Sequence, residues 1–239
     1  MKLSIIIPTL NEAGYLAAAI EAVRTRAFGG APLEILVADC GSTDDSSGLA
    51  ARLGVRVVTE NPPLDSRAAA LNAGAAHATG DVLLFLDADS IVPRNYDLAI
   101  EKALRDPRTV GGAFEFALDG PEYGLRIVEV INRIRYRIWP YYFGDQGIFV
   151  RADVFRQLGC FPRRRIMEAS DFCRKLNREG RLVLIHKPMK TSARRFLQGG
   201  VYCVLAHDIR IWLLDLMRFS TEGYGPAYQQ NNQRRGQTG

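Results

Sequence analysis

Two acids, Asp87 and Asp89, stand one residue apart at the end of the apolar run 82–86, "VLLFL". Successive side chains of a strand alternate between faces, so residues two apart project to the same side. Two carboxylates held together at the end of a buried strand repel each other and lose water. A hard divalent cation, Mg2+ or Mn2+, relieves that repulsion, since it takes oxygen ligands and bridges a few carboxylates to phosphate oxygens. The bland alternative is a solvated turn in which one Asp caps the next helix.

Polar residues recur at the ends of other apolar runs. "SIIIPTLNE" (4–12) closes with Pro8, Thr9, Asn11 and Glu12, and "VADCGSTDDS" (37–46) carries Asp39 into a turn of small residues. Asp39 or Glu12 can accept from a base N–H or a ribose hydroxyl, or can cap a helix. "DSRAAALNAGAAHATGD" (65–81) adds Arg67 and Asn72 on a run of Ala and Gly that lets a helix lie close to a sheet or a ligand. Arg67 suits a phosphate.

These residues need a scaffold. The short apolar runs 3–8, 33–38, 55–59 and 82–86 read as strands buried on both faces of a parallel sheet. Between them the pattern predicts helices over about 13–27, 44–53 and 66–78, with Asn11, Ser42 or Asp44, and Asp65 or Ser66 at their starts. The alternation implies an α/β fold, a mostly parallel central sheet flanked by helices with right-handed crossovers. Ligands of such sheets bind at the C-terminal edge of the strands, where all the polar loops fall.

Beyond residue 91 the regularity weakens. Strands are expected at 110–118, 147–150 and 181–185, and helices at 122–139 and 167–180. Residues 196–219 read as an amphipathic or packed helix, because His207, Asp208, Arg210 and Asp215 interrupt its apolar run. The expectation is one domain over 1–227, with a nucleotide-binding half (1–90), an acceptor and catalytic half (91–227), and a polar, disordered tail (228–239).

Of 239 residues, 47% are apolar and 24% charged, with a net charge of +5. That composition fits an ordinary globular chain and suits an anionic partner without choosing one. Cys40, Cys160, Cys173 and Cys203 have no zinc-ligand spacing and read as reduced, mostly buried thiols. No apolar run is long enough for a membrane span, so the expected location is the cytoplasm. Contact with the inner face of the membrane is left open by the basic segment 126–139, with Arg126, Arg133, Arg135 and Arg137, and by "PRRR" (162–165). No nucleic-acid-binding motif accompanies the charge. The Gly-x-Gly-x-x-Gly of a dinucleotide oxidoreductase is missing after the first strand, as is the glycine-rich basic loop of a sugar nucleotidyltransferase. His186, after the last strand, reads as structural rather than as a metal neighbour.

Taken together, "SIIIPTLNE", "VADCGSTDDS", the Arg67…Asn72-x-Gly74 segment and "LFLDADS" resemble the family 2 inverting glycosyltransferases of GT-A (Rossmann-like) fold. "GDQGIFVR" (144–151), "RIMEASDF" (165–172) and "TSARRF" (191–196) extend the likeness toward a small branch without transmembrane helices. The resemblance implies transfer of a hexosyl-type sugar from a nucleotide-diphosphate donor, UDP favoured, to an unknown hydroxyl acceptor, lipid-linked or small. Pro8, Thr9 and Glu12 would hold the nucleotide and Asp39 would read its base. Arg67 would lie near base or phosphate. Asp87 would contact ribose or metal, with Asp89 the main ligand of Mn2+ or Mg2+. Arg194 and Arg195 would support the leaving diphosphate, and Asp145 and Gln146 would lie near sugar and acceptor. A homodimer is left open.

One position departs from the resemblance. The family draws its catalytic base from a Glu-Asp pair, and this chain reads Met167-Glu168-Ala169-Ser170-Asp171. Glu168 or Asp171, three apart on one helix face, would take the role. Otherwise the chain binds donor sugars with little or no transfer.

Overall fold

The computed structural model of the chain describes residues 1–30, 32–139, 141–217 and 219–224. Four parallel strands, β1 (Leu3–Thr9), β2 (Leu33–Asp39), β3 (Arg56–Val58) and β4 (Val82–Phe85), alternate with α1 (Ala13–Thr25), α2 (Ser46–Arg52) and α3 (Arg67–His77). Then follow β5 (Ser90–Ile91), α4 (Tyr96–Ala103), β6 (Thr109–Asp119), α5 (Tyr123–Ile138), β7 (Ile148–Arg151) and α6 (Ala152–Gln157). The chain continues with α7 (Glu168–Glu179), β8 (Arg181–Ser192), α8 (Arg194–Gly199) and α9 (Val201–Leu216). One sheet of eight strands results, in the order β3-β2-β1-β4-β7-β6-β8-β5. β7 runs against both its neighbours and β5 against β8, while β6 and β8 pair in parallel.

Alternation along β1 divides the core. Leu3, Ile5 and Ile7 meet α1 through Leu16, Ile20 and Val23, while Ile6 turns to the other side. There α3 lies against the sheet through Ala68, Ala70 and Leu71, all fully buried. The close approach depends on Gly74, where a β-carbon would sit 2.5 Å from the Ile6 side chain. The Ala/Gly run therefore does bring its helix close to the sheet. Ser66 caps that helix, its hydroxyl accepting from the Ala69 N–H at 3.2 Å.

The other expected caps act across loops. Asn11, in the left-handed conformation, accepts from the N–H groups of Thr43 and Asp44, and Asp44 accepts from the Ala13 N–H. The loops after β1 and β2 are thus laced together.

Several expectations change. β4 stops at Phe85, and Asp87 to Ser90 form a turn closed by the Ser90 N–H on the Asp87 carbonyl at 3.0 Å. The two acids are brought together by that turn, not by strand alternation. β8 runs seven residues past the predicted end of the last strand, because β6 pairs along it as far as Ser192. The segment predicted as one helix breaks at Gly200 into α8 and α9. β5, α4 and α6 are additional short elements. Of the four thiols only Cys173 is buried; Cys203 is exposed and the other two are intermediate. The tail 228–239 lies outside the described residues. No helix among the described residues is long and apolar enough to cross a membrane.

Candidate active site

The polar loops converge on a cleft of about 650 Å³ along the C-terminal rim of the sheet. Pro8, Thr9 and Glu12 enter it from β1, Asp87 and Asp89 from the turn after β4, and Arg194 and Arg195 from the start of α8. Asp145 enters from the 3₁₀ turn Gly144–Gln146, and Glu168 with Ala169 from the start of α7.

Asp89 owes its place to the far edge of the sheet. After β4 the chain crosses to β5, which pairs with the end of β8 at Thr191 and Lys190. The Asp89 carbonyl accepts from the Ser192 N–H at 3.1 Å, and its carboxylate accepts from the Thr191 hydroxyl at 3.3 Å. Arg194, two residues further on, lies 3.2 Å from the second oxygen of Asp89 and pairs closely with Glu12. Its guanidinium stacks 4.5 Å over the ring of Tyr15.

Asp87 has a different guanidinium. Arg67 donates to it from Nε at 3.0 Å and Nη2 at 2.5 Å, and from Nη1 to Glu168 at 2.5 Å. Burial works against a charged Arg67, but Asp87 and Glu168 outweigh it and hold the group protonated. Gly144 makes room for this side chain, since a β-carbon there would collide with the guanidinium.

The electrostatics are those of a crowded anionic rim. Burial first, then the charge of Asp87, push the Asp89 carboxyl up to about 7 against the pull of Arg194. Burial also raises Glu12, despite its bond to Arg194. Asp145 is pushed up to about 6 by burial and then by Asp87, with Arg135 and Arg195 opposing. One carboxylate oxygen of Asp145 and one of Glu12 are buried without a hydrogen-bond partner among the described residues.

A hard cation fits this donor set. Among the described residues no group of three or more His, Cys, Asp or Glu surrounds a common point. Mg2+ and Mn2+ sites commonly use one or two carboxylates and complete their shell with phosphate and water. Asp87 and Asp89 supply two such carboxylates, close enough for each to feel the other, beside the unpartnered oxygen of Glu12. Asp89 and Asp87 are the residues that would hold the ion.

Other expected residues stand elsewhere. Asp171 does not line the cleft; it pairs with Arg164 and, at 2.9 Å, with Arg174. It shares that network with Asp215 of α9, so Glu168 and Asp171, although neighbours on α7, serve different partners. Gln146 is fully buried, donating to the Phe114 carbonyl and accepting from Arg135 and the Phe143 N–H, which makes it a strut behind the site. Asp39 is buried and accepts from the N–H and hydroxyl of Ser42, while Cys40 and Gly41 line the cleft beside it. Arg135 points inward, 3.9 Å from the centre of the Phe143 ring, and leaves the basic face of α5 to its neighbours. His186 is exposed, 3.3 Å from Glu115, and is neither a metal neighbour nor packed in the core.

The structure adds residues that the sequence reading passed over. Asp208 of α9 lines the cleft and holds Arg195 through both oxygens, at 2.8 and 2.5 Å. Tyr15, Thr191 and Gly144 orient Arg194, Asp89 and Arg67. No spacing in the sequence marks Tyr15, Thr191 or Gly144, because the first two act across more than a hundred residues of chain and the third through a missing side chain.

The far end of the cleft is apolar. Its walls are Leu118 from β6, Val128 and Ile131 from α5, and Leu205, Ile209 and Trp212 from α9.

Residues 4–166 match Glycosyl transferase family 2. An uncharacterized glycosyltransferase of Nostoc sp. is 38% identical over 95 residues, which is 38% of this chain and 29% of that protein. An undecaprenyl-phosphate 4-deoxy-4-formamido-L-arabinose transferase of Klebsiella pneumoniae is 30% identical over 212 residues, covering 82% of this chain and 58% of that protein. The chain thus spans less than two thirds of these curated relatives. Among solved structures, glucosyl-3-phosphoglycerate synthase from Mycobacterium tuberculosis, in complex with Mn2+, uridine diphosphate and glucosyl-3-phosphoglycerate, superposes with a TM-score of 0.63. It is 19% identical, and the match covers 93% of this chain and 82% of that one, a likeness of fold that is GT-A.

Proposed function

The chain belongs to glycosyl transferase family 2, and on that premise we propose that its cleft transfers a sugar from a nucleoside diphosphate donor to an acceptor hydroxyl with inversion. UDP is the favoured carrier, as in the uridine diphosphate complex of the M. tuberculosis structure. The observation that carries the reading is the pairing of Asp87 and Asp89 on one rim, each with its own guanidinium, Arg67 and Arg194. Such a rim matches the alternating charges of a cation and a diphosphate. Bound there, Mn2+ or Mg2+ supplies Lewis-acid stabilisation of the departing diphosphate. Arg194 and Arg195, which line the same cleft, would neutralise that charge as well. Pro8, Thr9 and Glu12 line the nucleotide end, with Asp39 behind Cys40 and Gly41 as reader of the base.

The catalytic base in this reading is Asp145. Glu168 is already committed to Arg67, and Asp171 lies outside the cleft. Asp145 has a buried, unpartnered oxygen and a carboxyl pushed up to about 6, within the range where a base works at neutral pH. The acceptor oxygen forms its bond to the anomeric carbon as the bond from that carbon to the diphosphate breaks. The hydroxyl proton passes to Asp145 and then to solvent, and the nucleoside diphosphate leaves with the electron pair.

A second reading has its own observation. Ala169 lines the cleft where the resemblance expects an acid, which favours a nucleotide-sugar-binding protein without efficient transfer. Incubation with UDP-sugars, Mn2+ and a panel of acceptors separates the two. Release of UDP that depends on Asp145 supports transfer; tight donor binding with no release supports the binding protein and removes the proposal.

A further inference from the structure

The outer face of α5 and α9 has no counterpart in the donor chemistry. On α5, Val130, Ile134 and Ile138 are 49%, 54% and 58% exposed. At about 100° per residue they form a stripe, bordered on one side by the row Arg126, Arg133 and Arg137 and on the other by Ile131 of the cleft wall. On α9, Tyr202, Leu213 and Met217 are exposed in a second stripe, again beside residues that wall the cleft. The two helices start together, where a β-carbon at Gly124 would lie 3.2 Å from Val201, and end together, where the rings of Trp139 and Trp212 meet edge-on at 5.3 Å. Their stripes therefore belong to one face.

Of the arginine row, Arg126 pairs with Glu129 and Arg133 lies 3.8 Å from Glu115, yet both keep nearly half of their side-chain surface exposed. The single acid of α5, Glu129, is buried and holds Arg126 and the Leu118 N–H. Of the two acids of α9, Asp208 is tied to Arg195 and Asp215 to Arg164 and Arg174. Arg137 is exposed and has no acidic partner among the described residues. A second copy of the chain across a two-fold axis would set this arginine row against itself.

We propose that the α5–α9 face docks on an anionic lipid surface. An arginine row beside an aliphatic stripe is the pattern of a helix lying in the headgroup plane, its guanidinium stems reaching back to the phosphates. The stripes insert among the acyl chains, and the apolar end of the cleft, built from the same two helices, lies next to the layer where amphiphilic hydroxyl acceptors reside. The inference concerns the outer face and stands apart from the transfer reading.

The test is co-sedimentation of the full chain with phosphatidylcholine vesicles, with and without phosphatidylglycerol. The wild type is expected to sediment with the anionic vesicles and to be released by high salt. Ile134→Gln with Ile138→Gln is expected to lower partitioning about tenfold, from the lost aliphatic burial. Arg133→Ala with Arg137→Ala is expected to reduce binding to the level seen on neutral vesicles. Unchanged melting temperature and UDP binding with Mn2+ in solution check that both variants are folded with an intact nucleotide site, and UDP release from a UDP-sugar, measured without lipid, tests the transfer reading separately. Wild type that stays in the supernatant, or variants that sediment like wild type, would overturn the proposal. So would a lipid-free dimer that the isoleucine substitutions split, since that outcome assigns the face to a second copy.

Discussion

Asp145 combines two facts that usually exclude each other: it is an acid in a cleft, and it has a buried oxygen with no partner. Its folded pKa of about 6 lies above the ordinary 3.8, so the fold disfavours its charged form. Its contribution to stability is full below the unfolded value and declines as pH rises toward 6. Asp145→Asn is therefore expected to melt about 2–4 °C above wild type at pH 8 and to match it at pH 4, by differential scanning calorimetry. The same variant is expected to lose about 10²-fold or more in kcat with little change in donor affinity, while wild-type turnover falls away below about pH 6. Asp89→Ala is expected to abolish the Mn2+-dependent part of nucleoside diphosphate binding by calorimetry; equal affinity with and without the metal would count against the site. Asp87 and Asp89 are legible in the sequence because they close an apolar run and Arg67 because it opens an Ala/Gly helix, while Arg194 comes only from the family resemblance. Asp171 falls outside the cleft because helical spacing gives the interval between residues but not which partners reach them: Arg164 and Arg174 engage it away from the cleft.

At the scale of elements, the regular half was the readable half. Continuous apolar runs and small-residue loops gave β1 to β4 and α1 to α3 within a few residues. β8 was cut short because its second half pairs with β6 while carrying Lys187, Pro188 and Lys190, which carry no strand signal. β5 is two residues long and exists only because β8 receives it. The least legible joint is that between α7 and α9. Asp215, almost fully buried, takes Arg164 at 3.2 Å, Arg174 more closely and the Ser170 hydroxyl at 3.0 Å. Removing one member of a buried charge network leaves the others uncompensated. Asp215→Ala is expected to cost about 3 kcal/mol in urea unfolding, far more than a surface acid, and to loosen the wall of the cleft that α9 supplies. Gly74→Ala is expected to destabilise by about 1–3 kcal/mol through overpacking against Ile6, without changing the affinity of the folded protein for nucleotide.

At the scale of the molecule, donor and metal should act as structural ligands. On the proposed reading each binds only the folded chain, so UDP with Mn2+ together are expected to raise the melting temperature more than the sum of either alone, with a gain of about 2.7 kcal/mol at a hundredfold excess over the dissociation constant. The composition gave the class of chain and the sign of its charge, but the outer face of α5 and α9 needed the third dimension, since only packing separates Arg135 from the arginines around it. One joint reaches beyond the finished structure. Asp89 is fixed by Thr191 and Ser192, one hundred and two and one hundred and three positions later. A ribosome making this chain has therefore synthesised Asp89 long before the strand end that holds it exists, whereas Asp87 already has Arg67 upstream. Chains ended short of Thr191 would carry the whole acid motif and are expected to retain no nucleotide, and on the ribosome that competence would arrive only once the last strand has emerged.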